Sequence, residues 1–122
     1  MHILVVEDDA DIRHIMVLAL RDEGYEVEEA ASGQSALDLL DRGGTHPEII
    51  LLDMKMPGMD GEQFARRYRE LYGRHAQIIL VTAANEASVH RPKIDADSHI
   101  SKPFDIGELL DKVSALVRRP QL

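Results

Sequence analysis

The sequence predicts an α/β fold: a doubly wound sheet of five parallel strands with helices on both faces. Two observations carry this. Short apolar runs alternate with stretches of helical periodicity five times along the chain. Three of those runs, "ILVV", "IILL" and "IILV", are continuously apolar rather than alternating, the pattern of strands covered on both faces.

The elements follow in order. "HILVVE" reads as the first strand. "DADIRHIMVLALRDEG" reads as a helix with Ile12, Ile15, Met16 and Ala19 at core spacing and Gly24 as its stop. "YEVEEA" alternates like a partly exposed strand. "SGQSALDLLDRGG" opens on a capping residue, Ser32, and closes on Gly43-Gly44. "EIILLD" is a second buried strand, and "PGMDG" is a turn cluster. Asp60 caps the helix "GEQFARRYRELYG", on which Phe64, Tyr68 and Leu71 share a face. "QIILVTA" is a third buried strand. "NEASVHRPKIDAD" fits no single pattern, "HIS" is a short strand, and "DIGELLDKVSALVRR" is an amphipathic final helix. Residues 119–122 read as a tail or the start of a linker, so 1–122 is expected to be one domain, which suits its length.

Composition narrows the function. A net charge of -8 disfavours binding to nucleic acid and favours a cation or a basic partner. Cysteine is absent, which excludes thiol chemistry and disulfides. No apolar run reaches the ~20 residues of a membrane span, and Met1 leads straight into "HILVV" without a signal-type n-region. A cytoplasmic location is expected.

In open parallel sheets, ligands bind beyond the carboxyl ends of the strands. The strand ends themselves therefore select the candidates: Glu7, Asp8 and Asp9 after the first strand, Asp53 after the third, Thr82 and Ala83 after the fourth, Lys102 and Pro103 after the fifth. Asp9 also suits a helix cap. Acids, a hydroxyl and an amine thus meet on one rim. Like charges at ~4 Å repel by roughly 4 kcal/mol per pair at an effective dielectric of about 20, so clustered carboxylates need a compensating cation. Hard oxygen ligands suit Mg2+, which takes one or two carboxylates and keeps room for water and phosphate oxygens. A carboxylate can also be a nucleophile toward phosphorus, and Asp53, standing between the other acids and Lys102, is the natural one. Lys102 and Thr82 are then placed to meet the charge on the phosphoryl oxygens.

Four segments, "ILVVEDDADIR", "LLDMKMPGMDG", "ILVTA" and "SKPF", lie in this order over essentially the whole chain. With them the sequence resembles the receiver domain of bacterial two-component response regulators. The resemblance implies a flavodoxin-like sheet of order 2-1-3-4-5. It implies that Asp53 accepts phosphate from a sensor histidine kinase or a histidine phosphotransfer protein. It implies Mg2+ held by Asp8, Asp53 and the backbone carbonyl of Lys55, with Glu7 acting through water, and a cis bond between Lys102 and Pro103. It implies that Thr82 moves toward the phosphoryl group and that Lys102 contacts one of its oxygens. By the same resemblance, the face built by the fifth strand and the helices flanking it is expected to change and to be read by an output domain, a downstream protein or a second copy. Such a domain is a switch, and its catalysis is limited to its own phosphorylation and dephosphorylation.

Departures from the family pattern are local. His99 stands where the family's rotamer-switching Tyr or Phe is usual; with Thr82 it completes the expected switch pair, and an imidazole there makes pH dependence an expectation. The stretch between Thr82 and Lys102 is shorter than usual, and Pro92 interrupts it, so its helix is expected to be short or irregular. Asp95 replaces a turn glycine. Lys55 and Ala84, each two residues beyond a site residue, line the mouth of the site in the family, and Lys55 can lean on the phosphoryl group. The six histidines, His2, His14, His46, His75, His90 and His99, show no metal-ligand spacing and read as surface residues. Three other functions remain to be weighed. A phosphatase of the haloacid dehalogenase type would carry a D-x-D motif at the end of its first strand and usually a cap domain; here the first strand ends E-D-D, Asp53 stands on a later strand, and 122 residues leave no room for a cap. A flavodoxin-like electron carrier lacks its phosphate loop. A phosphorylation-independent interaction module with this fold stays open.

Overall fold

The computed structural model describes residues 1–43, 46–83 and 96–117. The described residues form five strands and four helices: β1 (His2–Val6), α1 (Ala10–Asp22), β2 (Glu26–Ala30), α2 (Gly33–Asp41), β3 (Ile49–Asp53), α3 (Gly61–Tyr72), β4 (Gln77–Ala83), β5 (Ser98–Lys102) and α4 (Ile106–Val117). All neighbouring strands pair in parallel, in the order β2-β1-β3-β4-β5. The expected α/β architecture and strand order are those observed.

Alternation along the central strands builds two cores. Leu4, Val6, Ile50, Leu52, Ile78 and Leu80 face α2 and α3, meeting Leu37, Leu40, Phe64, Ala65 and Tyr68. Ile3, Val5, Ile49, Leu51, Ile79 and Val81 face α1 and α4, meeting Met16, Val17, Leu20, Leu109 and Val113. Each such side chain contributes about 1.5–3 kcal/mol through burial, so the sheet, packed on both faces, is the rigid part of the molecule. β2 is an edge strand, and Glu26, Glu28 and Glu29 on it are exposed. Charge on an edge strand opposes pairing with another chain.

The helix starts are built as expected. The Asp9 carboxylate accepts hydrogen bonds from the backbone N–H groups of Asp11 (2.9 Å) and Ile12 (3.1 Å). Ser32 and Ser35 form a capping box, as do Asp60 and Gln63. Such caps contribute typically about 1 kcal/mol each.

Two core assignments need correcting. On α1, Ile15 is exposed, Ala19 is only half-buried, and Met16, Val17 and Leu20 form the buried stripe. Residues 15–20 are all apolar, so periodicity alone leaves the rotation of this helix open. On α3, Leu71 is exposed, and Phe64, Ala65 and Tyr68 make the contact with the sheet. Of the histidines, His14, His46, His75 and His99 are exposed, but His2 is half-buried and its Nε2 lies 2.6 Å from Glu26 Oε2.

The expectations for Ala84, for the Pro92-containing helix, for Asp95, for His90 and for the tail at 119–122 fall outside the described residues. Among the described residues, no helix is long and apolar enough to cross a membrane.

Candidate functional site

Parallel pairing brings the carboxyl ends of β1, β3, β4 and β5 to one rim. The register sets Val6 beside Leu52, Asp53 beside Val81, and Ala83 beside Lys102. Glu7 follows β1 directly, Asp53 and Lys102 are the last residues of β3 and β5, and Thr82 is the last but one of β4. Glu7, Asp53 and Thr82 are buried although polar, while Asp8 is exposed. One carboxylate oxygen from each of Glu7, Asp8 and Asp53 falls within 4.8 Å of the others.

Lys102 reaches into this group. Its Nζ lies 2.8 Å from Glu7 Oε1 and 3.4 Å from Asp53 Oδ1. The backbone N–H of Lys55 donates to the same Asp53 oxygen at 3.4 Å, and that of Asp9 donates to Glu7 Oε2 at 3.3 Å. The Lys102–Pro103 peptide is cis. Thr82 Oγ1 is buried and has no hydrogen-bond partner among the described residues. An unmade hydrogen bond on a buried group costs about 1–3 kcal/mol.

These surroundings set the charge states. Burial first, and then the neighbouring Glu7 carboxylate as hydrogen-bond partner and as charge, push Asp53 from its ordinary 3.8 up to about 8, against the attraction of Lys102. Burial alone lowers the pKa of Lys102, but Glu7 and Asp53 outweigh it and hold the ammonium above its ordinary range. With no cation at the rim, Asp53 therefore keeps a proton at neutral pH while Lys102 stays charged. The donor set fits a hard divalent cation: three carboxylates converge, and such an ion offsets both the burial and the neighbouring charge that raise Asp53.

Two supporting residues escaped the sequence reading. Arg13, one turn into α1, donates from Nη1 to the carbonyl oxygen of Glu7 (2.8 Å) and from Nε to Glu29 (3.0 Å). It ties the end of β1 to the end of β2. Its place four residues after the Asp9 cap was the only available signal, since side chains in a first turn lean back toward the strand end. Gly61 opens α3 against the chain just after Asp53, its N–H donating to the Met54 carbonyl at 3.0 Å. A Cβ there would stand 2.6 Å from the Asp53 carbonyl oxygen. Of the expected switch pair, Thr82 lies in the site. His99 is exposed on β5 beside Leu80, whereas Thr82 pairs with Ser101. Lys55 is exposed at the rim.

The family model for the response regulator receiver domain matches residues 3–114. The chain belongs to the response regulator receiver domain family. It is thus a signalling domain of two-component systems, in which response regulators receive phosphate from histidine kinases and act on output domains. Among curated relatives, this receiver domain is 36% identical over 113 residues to the sporulation initiation phosphotransferase F of Bacillus subtilis, covering 91% of this chain and 89% of that protein. It is 38% identical over 119 residues to the response regulator MprA of Mycolicibacterium vanbaalenii, covering 96% of this chain but only 50% of that one. The receiver domain therefore spans about half the length of its MprA relatives. Among solved structures, it superposes with a TM-score of 0.81 on a CheY-like receiver domain protein of Methanospirillum hungatei, at 31% identity over 94% of this chain and 92% of that one. A response regulator of Thermotoga maritima, TrrA, solved in complex with Mg2+-BeF, matches with a TM-score of 0.81 at 34% identity, over 94% and 97% of the two chains.

Proposed function

We propose that this domain is a phosphorylation-dependent switch in which Asp53 accepts a phosphoryl group from a phosphohistidine. The observation that carries the reading is the position of Asp53. It is buried at a strand end, 3.4 Å from an ammonium, and the neighbouring strand carries Thr82, whose buried hydroxyl has no partner among the described residues. In the transfer, the P–N bond of the donor breaks and a bond from phosphorus to an Asp53 carboxylate oxygen forms. The departing imidazole nitrogen retains the electron pair and takes a proton. Hydrolysis of the aspartyl phosphate resets the domain.

Mg2+ is the cofactor of this reading, held by Asp8, Asp53 and the Lys55 carbonyl, with Glu7 acting through water. When bound, it neutralises the charge gathered on the acids and on the phosphoryl oxygens. The Mg2+-BeF complex of the Thermotoga relative supports that assignment. The remaining chemistry belongs to the chain. Asp53 must give up the proton that burial and Glu7 impose on it before it can attack. Lys102 must leave Glu7 for a phosphoryl oxygen. Thr82 supplies the hydroxyl donor, which has no partner among the described residues. Repositioning of Thr82, with His99 on the neighbouring strand, passes the change to the face around β5. The donor is a sensor kinase or a histidine phosphotransfer protein in the cytoplasm, and the reader is an output domain or protein.

Intact mass after incubation with acetyl phosphate and Mg2+ tests this. One phosphate adduct, absent from Asp53→Ala and absent without Mg2+, is expected. No adduct under conditions where Mg2+ binds would favour the phosphorylation-independent module instead.

A further inference from the structure

The end of the sheet opposite the carboxylates holds a second group of potential ligands. His46, three residues before β3, and His75, two residues before β4, are far apart in sequence but have ring centroids 5.5 Å apart, with their planes at 68°. Both are exposed. We propose that His46 and His75 form a two-imidazole site for a borderline-soft divalent metal ion such as Zn2+, separate from the carboxylate site and not involved in phosphoryl chemistry.

The spacing is compatible with a shared ion. With Zn–N bonds of about 2.0 Å in a tetrahedral arrangement, two imidazoles on one metal place their ring centres roughly 5 Å apart. The scaffold is also fixed in advance. Next to His46, Pro47 is buried, and the Glu48 backbone is pinned on both sides: its N–H donates to the His2 carbonyl (2.9 Å) and its carbonyl accepts from Gln77 (2.8 Å). After His75, Ala76 is buried and its carbonyl accepts from Arg69 Nη1 at 2.9 Å. The pairing of Ile49 with Gln77 then sets the two histidine-bearing segments side by side. With the flanking backbone held, only the side-chain rotamers remain to be ordered on binding, which lowers its cost.

Ligand chemistry separates the two ends of the sheet. Neutral imidazole suits Zn2+ and its neighbours in the first transition row, whereas Mg2+ prefers oxygen. The strand between the sites alone spans about 13 Å, so occupying one leaves the other free. Contact of the His46 ring with Tyr72, at 5.7 Å and 58°, gives the competing account, in which the histidines only extend an aromatic cluster.

The test is a Zn2+ titration of the full chain in excess Mg2+, followed through the ring proton signals of the histidines. The His46 and His75 signals are expected to shift together along one saturation curve. His46→Ala and His75→Ala are each expected to weaken binding by about tenfold or more. His14→Ala, an exposed position on α1, is expected to leave binding unchanged. All three sites are exposed, so the variants keep the fold. Unmoved His46 and His75 signals at millimolar Zn2+, or wild-type affinity in either single variant, would overturn the proposal and leave an aromatic contact only.

Discussion

Lys102 sits closer to Glu7 than to Asp53: its ammonium is 2.8 Å from the glutamate oxygen and 3.4 Å from the aspartate. The buried glutamate holds the cation that the proposed phosphoryl transfer needs at the aspartate. Glu7 therefore has two effects. It restrains Lys102, and it raises the pKa of Asp53. Glu7→Gln removes both. The carboxyl signal of Asp53, followed by NMR, is expected to titrate clearly below the wild-type value of about 8. Mg2+ affinity is expected to fall about 10- to 100-fold, as when other indirect supports of a metal site are removed. An unchanged Asp53 titration would show that burial alone sets its pKa.

Asp53 also links stability to pH. Its pKa rises from 3.8 to about 8 on folding, so between roughly pH 4 and pH 8 the folded protein holds a proton that the unfolded chain has released. Stability from this group is therefore greatest at the acid end of the window and is lost as pH rises through it. Urea midpoints are expected to fall from pH 5 to pH 8 in the wild type without Mg2+, and to fall less in Asp53→Asn. If Mg2+ binds the folded site as proposed, saturating ion is expected to offset the loss. Parallel pH profiles for the wild type and Asp53→Asn would refute the linkage.

The rim was legible in the sequence because it rests on strand ends, and strand ends follow from apolar runs: "QIILVTA" is the whole of β4, and it delivers Thr82. Contacts that depend on rotation or register were not legible. The run at residues 15–20 is apolar throughout, so the exposed position of Ile15 is decided by packing on the sheet and not by period. His46 and His75 are 29 residues apart, and only the pairing of β3 with β4 makes them neighbours. Arg13 reads as one more charge on a helix until its bond to the Glu7 carbonyl is seen.

Gly61 is required for its lack of volume. A Cβ would press on the Asp53 carbonyl oxygen at 2.6 Å and on Met54 Cα at 2.8 Å, and both are backbone atoms with little room to move. Gly61→Ala is expected to lower stability by about 1–3 kcal/mol, as overpacking does. It also displaces Asp53, so adduct formation with acetyl phosphate is expected to slow as well. Thermal unfolding and intact mass on the same sample check both parts. Gly58→Ala serves as the comparison: its added Cβ meets no atom within 4 Å, although its positive φ of 78° brings a strain of its own. It is expected to lose stability without slowing the adduct.

Thr82 separates stability from switching by sign. Its hydroxyl is buried without a partner among the described residues, a cost borne by the unphosphorylated protein. Val has the same shape without the hydroxyl. Thr82→Val is therefore expected to leave the unphosphorylated domain as stable as the wild type or more so, by about 1 kcal/mol. The same change removes the donor proposed to meet the phosphoryl oxygen, so the conformational response to an aspartyl phosphate is expected to be lost although the adduct still forms. Thr82→Ser keeps the hydroxyl and is expected to respond. Urea unfolding of the unphosphorylated forms, with amide chemical shifts around β5 before and after phosphorylation, reads both quantities. A Thr82→Val variant that is much less stable than the wild type would mean that the hydroxyl has a partner in the resting state. One that still responds fully to phosphorylation would mean that Thr82 does not carry the switch.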